Sequence, residues 1–288
     1  MMTNRSISRI IPAQATSDGA GVKLKRSLGQ SNNARHDPFL LLDEFFSNEP
    51  ANYLAGFPSH PHRGFETVTY MLDGHMLHED HLGNKGHLKG GGVQWMTAGR
   101  GVIHSEMPQQ DTGRMRGFQL WINLPAAEKM RPAHYEDIPA NKIPRHQFTN
   151  GGEAILIAGQ CQLNGESVRG YINGLDGQNL STDPLYIDLR LKAGQSSHII
   201  LPAAHNAVVY VYEGEAQIGE QVLPSTISAL LSQGEELSIT ASDDTRLLLL
   251  AARPIGEAIV QYGPFVMNTR DEIEQAMRDY RDGVLTSV

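Results

Sequence analysis

The sequence predicts an all-β protein built from two similar halves, and three observations carry that expectation. Short β-branched and aromatic segments recur between Gly, Pro, Asn and Asp positions. One of them returns in related form 140 positions later. A single stretch, near the C-terminus, shows convincing helical periodicity.

The expected strands are residues 66–72, 93–97, 117–124, 185–191, 207–213 and 246–251, a spacing that argues a sandwich or barrel. The repeat pairs Val68-Thr-Tyr-Met-Leu-Asp-Gly74 with Val208-Val-Tyr-Val-Tyr-Glu-Gly214. In both copies a strand runs into an acidic residue and then a glycine, as a tight turn at positive φ requires. Between the halves, residues 125–150 are rich in charge and amides, and Pro125, Pro132, Pro139 and Pro144 interrupt any regular element. The linker is placed there, giving a first domain at 1–135, a linker at 136–150 and a second domain at 151–288. In residues 271–280, Ile273, Ala276, Met277 and Tyr280 fall three and four apart, with Thr269 or Asn268 as the expected cap.

Composition excludes several functions. The chain of 288 residues carries 24 Lys plus Arg against 32 Asp plus Glu, a net charge of −8, with no basic run. It lacks the positive surface that nucleic-acid phosphates or anionic lipid would demand, so neither direct nucleic-acid nor membrane binding is expected. The longest apolar run, Leu247 to Ala252, falls far short of the roughly 20 residues of a membrane span. The N-terminal segment, interrupted by Arg5, Arg9 and Pro12, does not develop a signal peptide's apolar stretch, so a cytoplasmic location is expected. Cys161 is the only cysteine, which excludes an internal disulfide and a cysteine-based zinc cluster.

Histidine is where the sequence becomes specific. Seven of twelve histidines lie between His60 and His104. In an extended segment His60 and His62 would point to one face, and His104 with Glu106 repeats the device on a second segment. Three neutral imidazoles and a carboxylate make a nitrogen–oxygen set suited to a divalent transition ion. Fe(II) is the expected metal, one per chain, with Mn, Co, Ni, Cu or Zn as alternatives. Four protein ligands on an ion that prefers six leave positions for chemistry. Glu66 is expected to act as a hydrogen-bond acceptor behind the ligands. His75, His78, His81 and His87, beside the glycine-rich stretch 83–92, read as solvated residues of an exposed hairpin.

These residues sit inside longer motifs: Arg26-Ser-Leu-Gly29, Asp37-Pro-Phe-Leu-Leu-Leu-Asp-Glu-Phe45, His60-Pro-His-Arg-Gly-Phe-Glu-Thr-Val-Thr-Tyr70, Gln94-Trp-Met-Thr-Ala-Gly-Arg-Gly101 and Gly263-Pro-Phe-Val-Met-Asn-Thr269. Through them the chain resembles the pirins of the cupin superfamily over nearly its whole length. The resemblance implies a bicupin, two antiparallel β-barrel, jelly-roll-like domains with a C-terminal α-helix. It implies His60, His62, His104 and Glu106 as metal ligands. The 140-residue offset sets Ile200 and Pro202 opposite His60 and His62, and aligning Gly234 with Gly101 sets Leu237 and Ile239 opposite His104 and Glu106, so the second barrel is expected to be metal-free. His198 and His205 lie nearby and read as structural or exposed.

Two functions follow from the resemblance. One is quercetin 2,3-dioxygenase-type cleavage of a flavonol by dioxygen, with Glu106 as the general base for the flavonol hydroxyl. The other is a metal- or redox-dependent binding protein that modulates a transcription regulator or a metabolic enzyme as its protein partner. Phe57, Phe65, Trp95 and Met96 are candidates for an apolar wall beside the metal, though alternate strand positions cannot all face inward.

Overall fold

The structure, a computed structural model, describes residues 2–287 and contains two compact units. One comprises Ala15–Arg26, Phe39–Ala140 and the chain from Ile255 onward; the other comprises the chain up to Gln14, Ser27–Pro38 and Asn141–Pro254. The six expected strands all form, with ends shifted by at most two residues. Among the described residues, no helix is long and apolar enough to cross a membrane.

The histidine-bearing unit pairs a seven-stranded antiparallel sheet with a four-stranded one. The large sheet runs in the order His134–Ile138, Val93–Thr97, Phe65–Asp73, Met115–Asn123, Phe39–Ser47, Val22–Leu28, Gln14–Asp18. The small sheet runs Phe57–His62, Val102–Pro108, His75–Asp80, Lys85–Lys89. Val22, Leu24, Phe45, Met71 and Met115 from the large sheet meet Met76 and Leu88 from the small one in a closed apolar core. The other unit is built alike, from a seven-stranded and a six-stranded sheet. Its core includes Leu247, Leu249 and Ala251, while the alternating Leu248, Leu250 and Ala252 are buried too. A strand covered on both faces reads as a continuous apolar run, which explains why 247–252 does not alternate.

Three boundaries differ from the sequence expectation. The units exchange their ends: Ile7–Pro12 pairs with Ile227–Leu231 of the second barrel, and the C-terminal helix belongs to the histidine-bearing unit. Division in simple chain order at 135 and 150 misses this, because edge strands and docked helices are chosen by pairing partners far away in sequence. Residues 125–150 also contain short strands, His134–Ile138 and Arg145–Gln147, each an edge strand of a large sheet. Proline is tolerated beside such edges because no second neighbour needs its missing N–H.

The helix Arg270–Arg281 begins at a full capping box. Thr269 Oγ1 accepts from the Glu272 N–H at 3.2 Å, and Glu272 Oε2 accepts from the Thr269 N–H at 2.8 Å. Its apolar stripe is narrower than expected: Ile273 and Ala276 are buried against Phe265, Met267 and Leu285, whereas Met277 and Tyr280 are 41% and 43% exposed.

What fixes this C-terminal segment is the short sequence after His62. Arg63 is buried; its Nη1 donates to Asp279 Oδ2 at 2.7 Å, its Nη2 to the Leu285 carbonyl at 3.0 Å and its Nε to the Arg100 carbonyl. Gly64 stands at φ 92°, and a Cβ there would meet the Val266 carbonyl oxygen at 2.0 Å, so only glycine permits the approach. Lys129 closes the junction, with Nζ donating to the Gly64 carbonyl at 2.7 Å, Asn123 Oδ1 at 2.6 Å and the Val266 carbonyl at 3.1 Å. Burial pushes its ammonium down to about 8, so it remains largely charged at neutral pH. Lys129→Met should strip three buried acceptors of their donor and destabilise the fold by about 2–4 kcal/mol. Chemical denaturation measures this directly, and an unchanged midpoint would show that the junction tolerates the loss.

Candidate metal centre

The ligand-bearing segments are neighbours in the small sheet. Phe57–His62 runs antiparallel to Val102–Pro108, with Val102 opposite His62 and His104 opposite His60. The register then shifts by one residue, so that Glu106 faces Phe57. Along Val102–Pro108, Val102, His104 and Glu106 are buried while Ile103 and Ser105 are less so, which places the histidine and the carboxylate on the inward face.

His60, His62 and His104 converge. Their ring centroids lie 4.4–4.9 Å apart, and one ligand atom from each falls within 4.8 Å of the others. Among the described residues this is the one group of three or more His, Cys, Asp or Glu side chains close enough to hold an ion. The site is suited to a metal on its own chemistry. Buried His62 Nδ1 and His104 Nε2 have no hydrogen-bond partner, and unpartnered buried nitrogens are costly unless something else binds them. The Pro58 carbonyl lies 2.8 Å from His60 Nδ1, which fixes that nitrogen as the donor and leaves Nε2 with its lone pair. Burial, reinforced by the neighbouring imidazoles, holds His62 and His104 well below the ordinary histidine value. They are therefore neutral, the form that binds metal.

Glu106 is buried beside this group but its carboxylate is not among the converging atoms. Thr69 Oγ1 lies 3.1 Å from Glu106 Oε1 and 2.6 Å from Gln119 Oε1. One hydroxyl proton serves a single acceptor; with the Gln119 amide turned to donate, Thr69 gives its proton to Glu106. Glu66 is likewise outside the converging group. Its Oε1 accepts from Thr97 Oγ1 at 2.8 Å, and burial pushes its carboxyl up to about 6.

His78 departs from the sequence expectation. His75–Asp80 and Lys85–Lys89 do form a hairpin, and His75 and His87 are an exposed pair with Nε2 and Nδ1 2.8 Å apart. His78, however, is 1% exposed. Its Nε2 lies 2.5 Å from His104 Nδ1, and its register partner is Glu106. The available signal was alternation: buried Met76 two residues earlier marks the inward face of that strand. Among the aromatics, Phe65 and Trp121 pack edge-on against His62 at 5.2 and 5.3 Å, and Tyr135 against His78 at 5.1 Å. Phe57 instead packs against the apolar core of Val22 and Met76, and Met96 groups with Ala98 and Val102. Trp121 and Tyr135 were invisible in the sequence because they come from strands outside the histidine motifs.

In the other unit, Leu237 and Ile239 are apolar core. His198 is half-buried, its Nδ1 3.3 Å from Ser238 Oγ. His205 is buried rather than exposed.

Comparison with known proteins agrees with this fold. The Pirin family model matches residues 21–122, and the model for the Pirin C-terminal cupin domain matches residues 186–286. A Pseudomonas aeruginosa protein named "Putative quercetin 2,3-dioxygenase" is 51% identical over 288 residues, 99% of each chain. A "Pirin-like protein" of Caulobacter vibrioides is 43% identical over 282 residues, 98% of this chain and 99% of its own. The crystal structure of quercetin 2,3-dioxygenase from Acinetobacter baumannii superposes with a TM-score of 0.88 at 33% identity, covering 98% of this chain and 99% of that one. With both halves matched by family models and relatives similar from end to end, this chain belongs to the pirin family and folds as two cupin domains.

Proposed function

We propose that this pirin is a flavonol-cleaving dioxygenase of the quercetin 2,3-dioxygenase type, with one divalent metal, Fe(II) in this reading, held by His60, His62, His104 and Glu106. The observation that carries it is the convergence of three imidazoles, two of which, His62 and His104, have a buried ring nitrogen without a protein partner. Relatives named for that activity support the substrate class. A bound divalent ion supplies Lewis acidity toward a vicinal hydroxyl–carbonyl pair and redox capacity toward dioxygen.

The chain's own residues do the rest. Glu106, beside the three histidines, accepts the proton of the flavonol hydroxyl, and the Thr69 hydroxyl steadies its carboxylate from the side. His78 fixes the ring of His104 through the Nε2–Nδ1 contact, a positioning role. Phe65 and Trp121 set the plane of His62. A cytoplasmic setting belongs to the same reading, supported by a lone, buried thiol at Cys161.

His62→Ala and His104→Ala should each lose most bound metal and unfold at lower temperature, since an ion that binds the folded state stabilises it by mass action. Elemental analysis beside thermal melts checks this, and full metal content in both variants would refute the ligand set. His78→Ala should retain the ligands but bind metal about 10–100-fold more weakly, the usual effect of removing a group behind a ligand. A competition titration with a chelator reads the change.

Glu106→Gln separates catalysis from binding. The amide keeps nearly the same size and can offer an oxygen to the ion, but it cannot take the hydroxyl proton. Turnover per bound metal should fall about 10²–10⁴-fold, measured as oxygen consumption with quercetin and normalised to metal occupancy. Equal turnover would remove Glu106 from the chemistry. No turnover by the wild-type protein with any of the six metals would favour the binding-protein reading.

A further inference from the structure

Two histidines of the hairpin take no part in the metal centre. His75 and His87 stand on the paired strands His75–Asp80 and Lys85–Lys89, where His75 faces Lys89 and Leu77 faces His87, so the two are diagonal neighbours. Alternation sets them on the outward face: Met76, His78, Gly86 and Leu88 are buried, whereas His87 is exposed and His75 half-buried. The ladder fixes both backbones, and diagonal positions on one sheet face are within reach of each other's longer side chains.

His75 Nε2 lies 2.8 Å from His87 Nδ1, with the ring centroids 4.9 Å apart. Two nitrogens each about 2.0 Å from one ion stand about 2.8 Å apart at a right angle and about 3.3 Å apart at the tetrahedral angle. The pair therefore has the bite of two adjacent ligands on a square-planar ion, the arrangement of Cu(II) and Ni(II). Imidazole nitrogen also selects such ions over Mg or Ca, which take oxygen ligands. Burial, with His87 and Lys89 nearby, holds His75 below the ordinary histidine value, so at neutral pH it offers a lone pair. As the pair stands, one ring donates its proton to the other; ion binding moves that proton to the far nitrogen of the same ring, and none is released. Glu79, further along the same face, is engaged by Lys85 at 2.5 Å, and Lys89 opposes a cation, so the site is weaker than the buried triad.

We propose that His75 and His87 form a second, surface site for a divalent transition ion, Cu(II) above all, held by His75 Nε2 and His87 Nδ1 with water in the remaining positions. The site faces away from the metal centre and does not depend on the activity proposed there.

The test titrates the full-length, metal-loaded protein with Cu(II)–iminodiacetate, a chelate that leaves positions open on the ion but is too bulky for the buried triad. Calorimetry reads affinity, and paramagnetic broadening of backbone NMR signals reads location. Broadening in the wild type should centre on residues 75–77 and 87–89. His75→Ala and His87→Ala should each weaken binding about 10²-fold, the advantage of two linked ligands over one, and the double variant should fall little further. Other exposed histidines, such as His81 and His134, bind the chelate singly and set the background. Thermal midpoint and metal content of the centre, measured on the same samples, serve as the folding control. The proposal is overturned if broadening in the wild type centres elsewhere, if either single variant binds as tightly as the wild type, or if the two losses simply add.

Discussion

Three imidazoles packed within 5 Å of one another are costly to assemble: burial disfavours a proton on His62 and His104, and buried His62 Nδ1 and His104 Nε2 have no hydrogen-bond partner in the protein. Something must hold them there. The Pro264 carbonyl takes part in holding His62, and Pro264 belongs to the segment that Arg63, Gly64 and Lys129 tie down immediately beyond it. The centre is thus maintained by a junction of buried carbonyls and two cations, next to the ligands in sequence but reaching to the far end of the chain.

This view gives the motif His60-Pro-His62-Arg63-Gly64-Phe65-Glu66 a division of labour. The histidines face the metal position, Arg63 forks into the C-terminal helix, and Gly64 lets the Val266 carbonyl approach. Phe65 packs on Val266 and Trp121, and Glu66 fastens the next strand through Thr97. Only two of these seven residues point toward chemistry; the rest make the chemistry's geometry reproducible.

Much of this was legible in the sequence because it depends on local periodicity. A two-residue spacing puts His60 with His62 and His104 with Glu106 on shared faces, and strands such as 93–97 and 185–191 are bounded by their own turn residues. The rest depends on contacts between distant strands. His78 becomes part of the site only because Val102–Pro108 lies between its strand and Phe57–His62. The one-residue shift that sets Glu106 opposite Phe57 leaves no trace in composition. The exchange of ends was likewise hidden, since Ile7–Pro12 looks like any short strand until its partner at Ile227–Leu231 is known.

That exchange bears on how such a chain can be divided by evolution or by an experimenter. A cut near residue 140 separates the two halves of the sequence but neither of the two folded units. The N-terminal piece would lack the Phe265–Met267 strand and the capped helix, while the C-terminal piece would lack the edge strand Ile7–Pro12 and expose the backbone of Ile227–Leu231 along one side. The two sheet-built units look like two modules, yet each carries an element encoded at the opposite end of the chain. Each half therefore depends on the other's end, and the C-terminal half cut out as an independent cassette would carry an open sheet edge prone to aggregation.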